Sequence, residues 1–357
     1  MNKIKQKNIR KISKILIDWY YANMRDLPWR DTNDPYKIWV SEVILQQTQV
    51  VQGVAYYFQF LEKFPTVYDL AVASEKEVLM VWQGLGYYSR ARYLHEGAKR
   101  VVQFYQGERP ELYEEIKTIK GIGDYTAAAI LSIAYNKPFA VVDGNVYRVL
   151  SRLFAIDAPI DTAAGKRIFA ELADKLLDQF NPGTHNQAIM EFGALCCTPR
   201  QPGCEVCPLG HLCEANYLNM QQGFPVKMRR VKVRNRYFHY FDIRYKGNRF
   251  LNKRVDNDIW KNMYEFPLIE TLKDIDLCDL MNTTHFKSIF RASELTVVST
   301  SNTIKHILSH QHIYAKFYVV EITKLDDNFS RSFLKIDKND IDLYPVSRLI
   351  QSYLDNG

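Results

Sequence analysis

A cluster of cysteines near the middle of the chain constrains its fold more than any other sequence feature. Four cysteines follow the pattern Cys197-x6-Cys204-x2-Cys207-x5-Cys213, so four thiols within 17 residues can surround one compact centre. The N-terminus lacks the apolar segment of a secretory signal, and no apolar run approaches the roughly 20 residues that cross a bilayer. We therefore expect a protein of the cytoplasm or of an organelle interior with no membrane partner, in which clustered cysteines bind metal rather than form disulfides.

The spacing of these cysteines leaves two kinds of metal centre open. Structural zinc is usually held by paired Cys-x2-Cys knuckles, and only Cys204 and Cys207 have that spacing here. Four thiolates on a short loop also match the ligand set of a cubane iron–sulfur cluster. The surplus neighbour Cys196 is expected to be a small buried residue at the end of a helix, and the isolated Cys278 to be structural.

The distribution of apolar residues divides the 357 residues into two domains joined by a basic linker. Residues 1–222 carry apolar side chains at helical intervals, which predicts an all-α domain. Residues 223–236 form the linker, where six Lys or Arg and no acid occur within 225–236; it reads equally as a solvated tether or as a segment that lies on phosphate. Residues 237–357 are rich in aromatic and β-branched residues, which predicts an α+β domain.

A glycine-rich segment and two carboxylates are the candidate functional features of the helical domain. Gly121-Ile122-Gly123 lies between two helices, where glycines allow close approach to a partner and the next helix N-terminus favours phosphate. Asp124 is expected to be the N-cap of that next helix. Asp143 begins another helix, and a capping role alone explains it. Glu42 lies in an apolar helix that includes the polar run 46–49, and a favourable interaction with the helix dipole alone explains it. Amides and aromatic rings near Glu42 are what a protein needs to unstack a base.

Taken together, six segments resemble the helix-hairpin-helix DNA glycosylases that carry a 4Fe-4S cluster, and most closely the adenine DNA glycosylases of the MutY type. These segments occur in the family's order: Leu27–Arg30, Ile38–Val50, Gly84–Arg92, Gly121–Thr126, Asp143–Arg148 and the cysteine loop. The resemblance implies an all-α helix-hairpin-helix glycosylase domain followed by a Nudix-like α+β domain. It also implies that the cofactor is a 4Fe-4S cluster bound by Cys197, Cys204, Cys207 and Cys213.

The resemblance further implies hydrolysis of adenine from double-stranded DNA, opposite 8-oxoguanine or guanine, by a monomer that flips the base. Glu42 would be the general acid that protonates adenine, and Asp143 would stabilise the oxocarbenium-like sugar. Asn145 would orient Asp143 or a water. Tyr125 stands where bifunctional relatives have a nucleophilic lysine, and because tyrosine cannot form a Schiff base, a monofunctional enzyme is implied.

Other positions carry DNA-contacting roles by the same resemblance. Trp29, Arg30 and Gln187 would line the adenine pocket. Gln47 and Tyr87 would wedge into the duplex, with Thr48 and Leu85 near 8-oxoguanine. The remaining DNA-contacting positions are Leu45, Gly121 and Gly123.

The C-terminal domain resembles a Nudix-like domain through Trp260–Pro267. The acidic metal motif of Nudix hydrolases does not follow Pro267, so hydrolase activity is not expected. The family reads 8-oxoguanine with a Phe-Ser-His loop, and here Ser309 and His310 match while Leu308 replaces the phenylalanine.

Three other functions compete with the adenine glycosylase. An endonuclease III-like enzyme for oxidised pyrimidines is disfavoured by Tyr125, Glu42 and the extra domain. A non-catalytic Fe–S protein that binds damaged DNA would lack base release, and a zinc-binding DNA module would lack the cluster. No motif for a protein partner is found, and nucleoid association is expected if the chain is bacterial.

Overall fold

The computed structural model describes residues 6–228, 233–290, 294–325 and 327–356. In chain order its helices and strands are α1 (Gln6–Asn23), α2 (Pro35–Leu45), α3 (Val50–Lys63), α4 (Val67–Val72), α5 (Glu75–Val81), α6 (Ser89–Tyr105), α7 (Tyr113–Ile116), α8 (Asp124–Tyr135), α9 (Gly144–Leu153), α10 (Ala163–Leu176), α11 (Pro182–Leu195), α12 (Glu214–Tyr217), β1 (Arg234–Tyr245), β2 (Asn248–Lys253), β3 (Tyr264–Glu265), β4 (Leu268–Thr271), α13 (Leu277–Asn282), α14 (Thr284–Phe290), β5 (Glu294–Thr300), β6 (Ile304–Ile307), β7 (Gln311–Lys324), α15 (Asp327–Ser332), β8 (Leu334–Asp337) and α16 (Arg348–Asp355).

The chain forms two compact units: Met1–Val72 with Tyr93–Arg229, and Ala73–Arg92 with Arg230–Gly357. Every described strand belongs to the second unit, so the predicted order of an all-α part and an α+β part is confirmed. Within the described ranges, no helix is long and apolar enough to cross a membrane. Of the predicted linker, positions 229–232 lie outside the described residues.

The core of the helical unit forms where α1, α8, α9, α10 and α11 meet. Its fully buried members include Leu16, Leu150, Phe169, Ile189 and Phe192. Burying each such side chain contributes roughly 1.5–3 kcal/mol relative to exposure. This packing holds in place the ends of α8, α9 and α11, which carry the candidate site.

The helix boundaries confirm one predicted cap and correct two local predictions. Asp143 is the N-cap of α9, as expected. The run 46–49 is not part of a helix: α2 ends at Leu45, α3 begins at Val50, and Gln47 has a φ of 59°. Apolar periodicity did not reveal this turn because both helices bury apolar residues on either side of it. Asp124 is the first residue of α8 rather than its cap, and its carboxylate pairs with Lys117 at 2.6 Å.

The second unit is built on a mixed sheet in which β1 and β7 are the long central strands. These two run parallel, from Arg234 beside Gln311 to Arg244 beside Glu321. The strand order is β3-β2-β1-β7-β5, with β4 on β1, β6 on β7 and β8 on β2. Aromatic side chains of the sheet pack against α14. Cys278 is exposed on α13, so the prediction that it is structural is wrong; its neighbour Leu280 is the residue that faces the core.

Residues 73–92 belong to the second unit through hydrogen bonds with its C-terminal part. The Gln83 Nε2 donates to Gln351 Oε1 at 2.8 Å, and its Oε1 accepts from the Val346 amide at 3.1 Å. Asn262 donates to Glu75 at 2.6 Å. These contacts support the turn that carries Tyr87.

Candidate active site

A cavity of about 540 Å³ in the helical unit brings together most of the predicted catalytic and DNA-contacting residues. The α2 and α8 helices contribute Glu42 and Tyr125, and the start of α9 contributes Asp143. The predicted residues that line the cavity are Trp29, Arg30, Glu42, Leu45, Gln47, Thr48, Tyr125, Asp143, Asn145 and Gln187. The volume lies in the range of small-ligand sites.

Glu42 is a buried carboxyl group with one hydroxyl partner. Its side chain belongs to a residue only 7% exposed, and the Tyr125 hydroxyl donates to its Oε2 at 2.6 Å. Burial raises the pKa of Glu42, the Tyr125 hydrogen bond lowers it and the nearby charge of Asp143 raises it; together these effects place it at about 7. Glu42 therefore holds a proton near neutral pH and can donate it.

Asp143 is fixed by three N–H donors. Its Oδ1 accepts from the amides of Asn145 at 2.9 Å and Val146 at 2.8 Å, and its Oδ2 accepts from Asn145 Nδ2 at 2.8 Å. Burial raises the pKa of Asp143, while these hydrogen bonds favour its charged form. A carboxylate held in this way can stabilise a cation without reorganising.

Arg148 connects Asn145 to the cysteine loop. Its Nη2 donates to Asn145 Oδ1 and to the Gly193 carbonyl, each at 2.8 Å, and its Nε donates to the Cys197 carbonyl at 2.7 Å. Gly193 is required here because a Cβ at that position would lie 2.6 Å from Cβ of Asn145. The sequence motif included Arg148 and its near neighbour Asn145, but the partners Gly193 and Cys197 could not be read from the sequence because they lie 45 and 49 residues away.

The four predicted cysteine ligands surround a small cavity of about 30 Å³ beside α9 and α11. Arg152 reaches this loop: its Nη1 lies 3.4 Å from Cys197 Sγ and donates to the Thr198 carbonyl at 2.7 Å. Cys196 is buried in the helical core, as predicted. In the described parts of the chain, no three His, Cys, Asp or Glu side chains converge on a point where one metal ion would sit.

A buried ion-pair cluster forms one wall of the large cavity and was not found by sequence reasoning. Glu191 is 2% exposed and accepts from Arg25 and Arg30, with shortest distances of 2.6 and 2.8 Å. The two arginines hold the pKa of Glu191 at about 2 although burial opposes them. The partners are separated by more than 160 residues, so no local pattern signals the pair.

The glycine-rich segment lies outside the lining of this cavity. Gly121 has a φ of 84°, and a Cβ there would lie 2.8 Å from Cβ of Tyr93. Gly123 is the N-cap of α8, and a Cβ there would meet open space. The predicted hairpin before α8 is present, while its contact with phosphate stays a prediction.

The remaining predicted contacts belong to the second unit. Tyr87 is 46% exposed with a φ of 47°, and its hydroxyl contacts the Ser309 hydroxyl. Arg90 donates to the Gly86 carbonyl at 3.1 Å and lies over the Tyr87 ring, 5.7 Å from its centroid. His310 is exposed, whereas Leu85 is buried.

Comparison with protein families matches both units. A model of HhH-GPD superfamily base excision DNA repair proteins matches residues 40–175, and a NUDIX domain model matches residues 239–356. The predicted helix-hairpin-helix and Nudix-like folds are thereby confirmed. The structure is similar to that of a thermostable thymine-DNA glycosylase, with a TM-score of 0.56 and 30% identity, over 59% of this chain and 98% of that chain.

Two relatives extend the similarity along most of the chain. An adenine DNA glycosylase of Buchnera aphidicola subsp. Baizongia pistaciae is 33% identical over 314 residues, which cover 87% of this chain and 86% of the relative. An adenine DNA glycosylase of Arabidopsis thaliana is 36% identical over 365 residues, which cover 88% of this chain. The chain spans 58% of that relative, little more than half its length.

Proposed function

This chain belongs to the adenine DNA glycosylase family, as its sequence motifs predicted, and we propose that it removes adenine mispaired with 8-oxoguanine or guanine in duplex DNA. The observation that carries the proposal is the pairing of two unlike carboxyl groups in one cavity. Glu42 keeps its proton because it is buried, and Asp143 is held by three N–H donors. Two carboxyl groups with separated acid and stabilising roles are the machinery of glycosidic hydrolysis.

In the proposed reaction, the flipped adenine enters the cavity and Glu42 protonates a nitrogen of its imidazole ring. The bond between the base and C1′ of the sugar then breaks, and its electron pair leaves with neutral adenine. Asp143 stabilises the positive charge that develops on the sugar. A water adds its hydroxyl to C1′ and its proton restores a carboxyl group, which leaves an abasic site.

Tyr125 accounts for the proposed lack of strand cleavage. Its hydroxyl is engaged with Glu42 and lies 3.3 Å from Met190 Sδ. Burial raises the pKa of Tyr125 well above its usual value, so it remains a hydrogen-bond donor. A phenol cannot form a Schiff base with the sugar, and the enzyme would be monofunctional.

The cysteine loop fits a 4Fe-4S cluster better than a zinc ion. The four thiols line one cavity and come from a single short loop, where only Cys204 and Cys207 have the paired spacing typical of zinc knuckles. Cys197, Cys204, Cys207 and Cys213 would hold the cluster, which would stabilise the loop and take no part in hydrolysis. Iron and sulfide content, with visible absorbance that zinc lacks, distinguishes the two metals.

The substrate determines the proposed partner and location. Duplex DNA with one mispair needs one copy of the chain, so the protein would act as a monomer. We propose that it works in the cytoplasm, and at the nucleoid if the chain is bacterial.

The decisive experiment is single-turnover release of adenine from a duplex with one 8-oxoguanine:adenine pair. Wild type is compared with Glu42→Gln, with and without hot alkali. We expect strand breaks mainly after alkali, and a loss of about 10²- to 10⁴-fold in the variant because the proton donor is gone. A cluster-loaded wild type that releases no adenine contradicts the proposal; duplexes with oxidised pyrimidines then test the endonuclease III-like alternative, and binding without base release supports the non-catalytic one.

A further inference from the structure

Tyr20 was not among the predicted site residues, but it hydrogen-bonds to the side-chain amide of Gln187, which lines the cavity. Tyr20 of α1 is 4% exposed, and its hydroxyl donates to Gln187 Oε1 at 3.0 Å. Burial raises the pKa of Tyr20, so the hydroxyl keeps the proton that it donates. The Arg30 guanidinium lies over the same ring, 5.2 Å from its centroid.

This hydrogen bond has a consequence for the chemistry of the cavity wall. An amide has an acceptor end and a donor end, and Tyr20 engages the Oε1 acceptor of Gln187. The Nε2 donor end is then the one available to a base. Arg30 beside it carries donors only, and its Nη atoms are fixed by Glu191 and by the Arg25 carbonyl.

We propose that Tyr20 is a positioning residue that sets the polarity of Gln187, so that the Nε2 donor of Gln187, beside the donors of Arg30, is directed at the flipped base. This inference rests on the proposed function, because the base concerned is adenine. The ring nitrogens of adenine are acceptors, so a wall of donors pairs with them. A reversed amide would present its oxygen instead, and two buried acceptors that face each other lose their hydrogen bonds.

The test compares Tyr20→Phe with Tyr21→Phe in single-turnover adenine release. Tyr20→Phe keeps the ring beneath Arg30 and removes only the hydroxyl, while Tyr21 is 65% exposed and serves as the matched control. Loss of one net hydrogen bond predicts a rate about 3- to 10-fold lower for Tyr20→Phe, with Tyr21→Phe at the wild-type rate. In a Gln187→Ala background, Tyr20→Phe should cause no further loss. An equal loss in both backgrounds overturns the proposal, because Tyr20 would then act by another route.

A second variant tests the polarity directly. Gln187→Glu keeps the shape and the acceptor for Tyr20, but replaces the donor end with an acceptor. We expect it to be slower than Gln187→Ala, and its rate relative to wild type should recover as pH falls, because a protonated carboxyl group carries an O–H donor. A Gln187→Glu enzyme as fast as wild type, or a ratio that does not change with pH, overturns the proposal. If wild type itself releases no adenine, it is the proposed function that fails.

Discussion

The cavity that holds Glu42 in the helical unit and the exposed surface of Tyr87, Ser309 and His310 in the second unit differ in their access to water. Glu42 is nearly excluded from water and its hydroxyl partner comes from the protein. Tyr87 is nearly half exposed, and Ser309 and His310 are exposed on the approach to β7.

The difference in access to water indicates which region supports catalysis and which supports recognition. In the cavity, folding itself removes water, and this is what raises the pKa of Glu42 and makes its proton available. On the exposed surface, water is displaced only when a partner binds. The residues of this surface can therefore add affinity and selectivity, but folding alone does not shift their pKa values by excluding water. Changes in the cavity should therefore slow chemistry, and changes on the surface should weaken recognition.

After Glu42→Gln, the largest expected effect comes from Asp143→Asn. An amide keeps the N-cap of α9 but removes the negative charge, so single-turnover adenine release should fall about 10²- to 10³-fold. The melting temperature and DNA affinity should remain near those of wild type. A rate within a few fold of wild type, in a protein with the wild-type melting temperature, would show that a residue other than Asp143 supplies the stabilising charge.

The pH profile should follow Glu42. Its protonated form predominates below its pKa of about 7, so the single-turnover rate should be highest there and fall about tenfold per pH unit above it. Tyr125→Phe removes the hydrogen bond that lowers this pKa, and the fall should shift to higher pH. A profile that rises across neutral pH would show that Glu42 acts as a base.

On the exposed surface, Tyr87→Ala should act on affinity. Stacking of an aromatic ring on a base contributes about 1–3 kcal/mol, which predicts DNA binding weaker by roughly 5- to 150-fold. The rate at saturating enzyme should change little, because Tyr87 does not line the cavity that holds Glu42. Titration of a fluorescent duplex measures the affinity. An unchanged affinity with slower adenine release would contradict the assignment of recognition to the surface and of chemistry to the cavity.

The smallest effect is expected for Ser309→Ala. One exposed hydrogen bond contributes about 0.5–1.5 kcal/mol, so the preference for 8-oxoguanine over guanine opposite adenine should fall about 2- to 12-fold. Ser288→Ala, an exposed serine on α14, is the matched control. Competition between the two duplexes provides the measurement, and a preference equal to that of the control would remove Ser309 from lesion reading.

Much of the site could be predicted because its residues sit in short segments with local meaning. The aspartate of Asp143-Gly144-Asn145 caps a helix through its own local sequence, and four cysteines within 17 residues are close enough in the chain to line one cavity. The turn at Gln47 could not be predicted, since the apolar pattern continues across it. Tyr20 and Glu191 were missed because each acquires its role from a partner more than 160 residues away.

The sequence by itself determined the fold class, the family and the identity of the groups that can do the chemistry, because propensities, capping and motif spacing are local properties of the chain. Tertiary structure alone decided the protonation of Glu42, the polarity of Gln187 and the pairing of Glu191 with two arginines. The physical reason is that pKa values and hydrogen-bond direction depend on the exclusion of water and on distant partners, and both arise only when the helices pack.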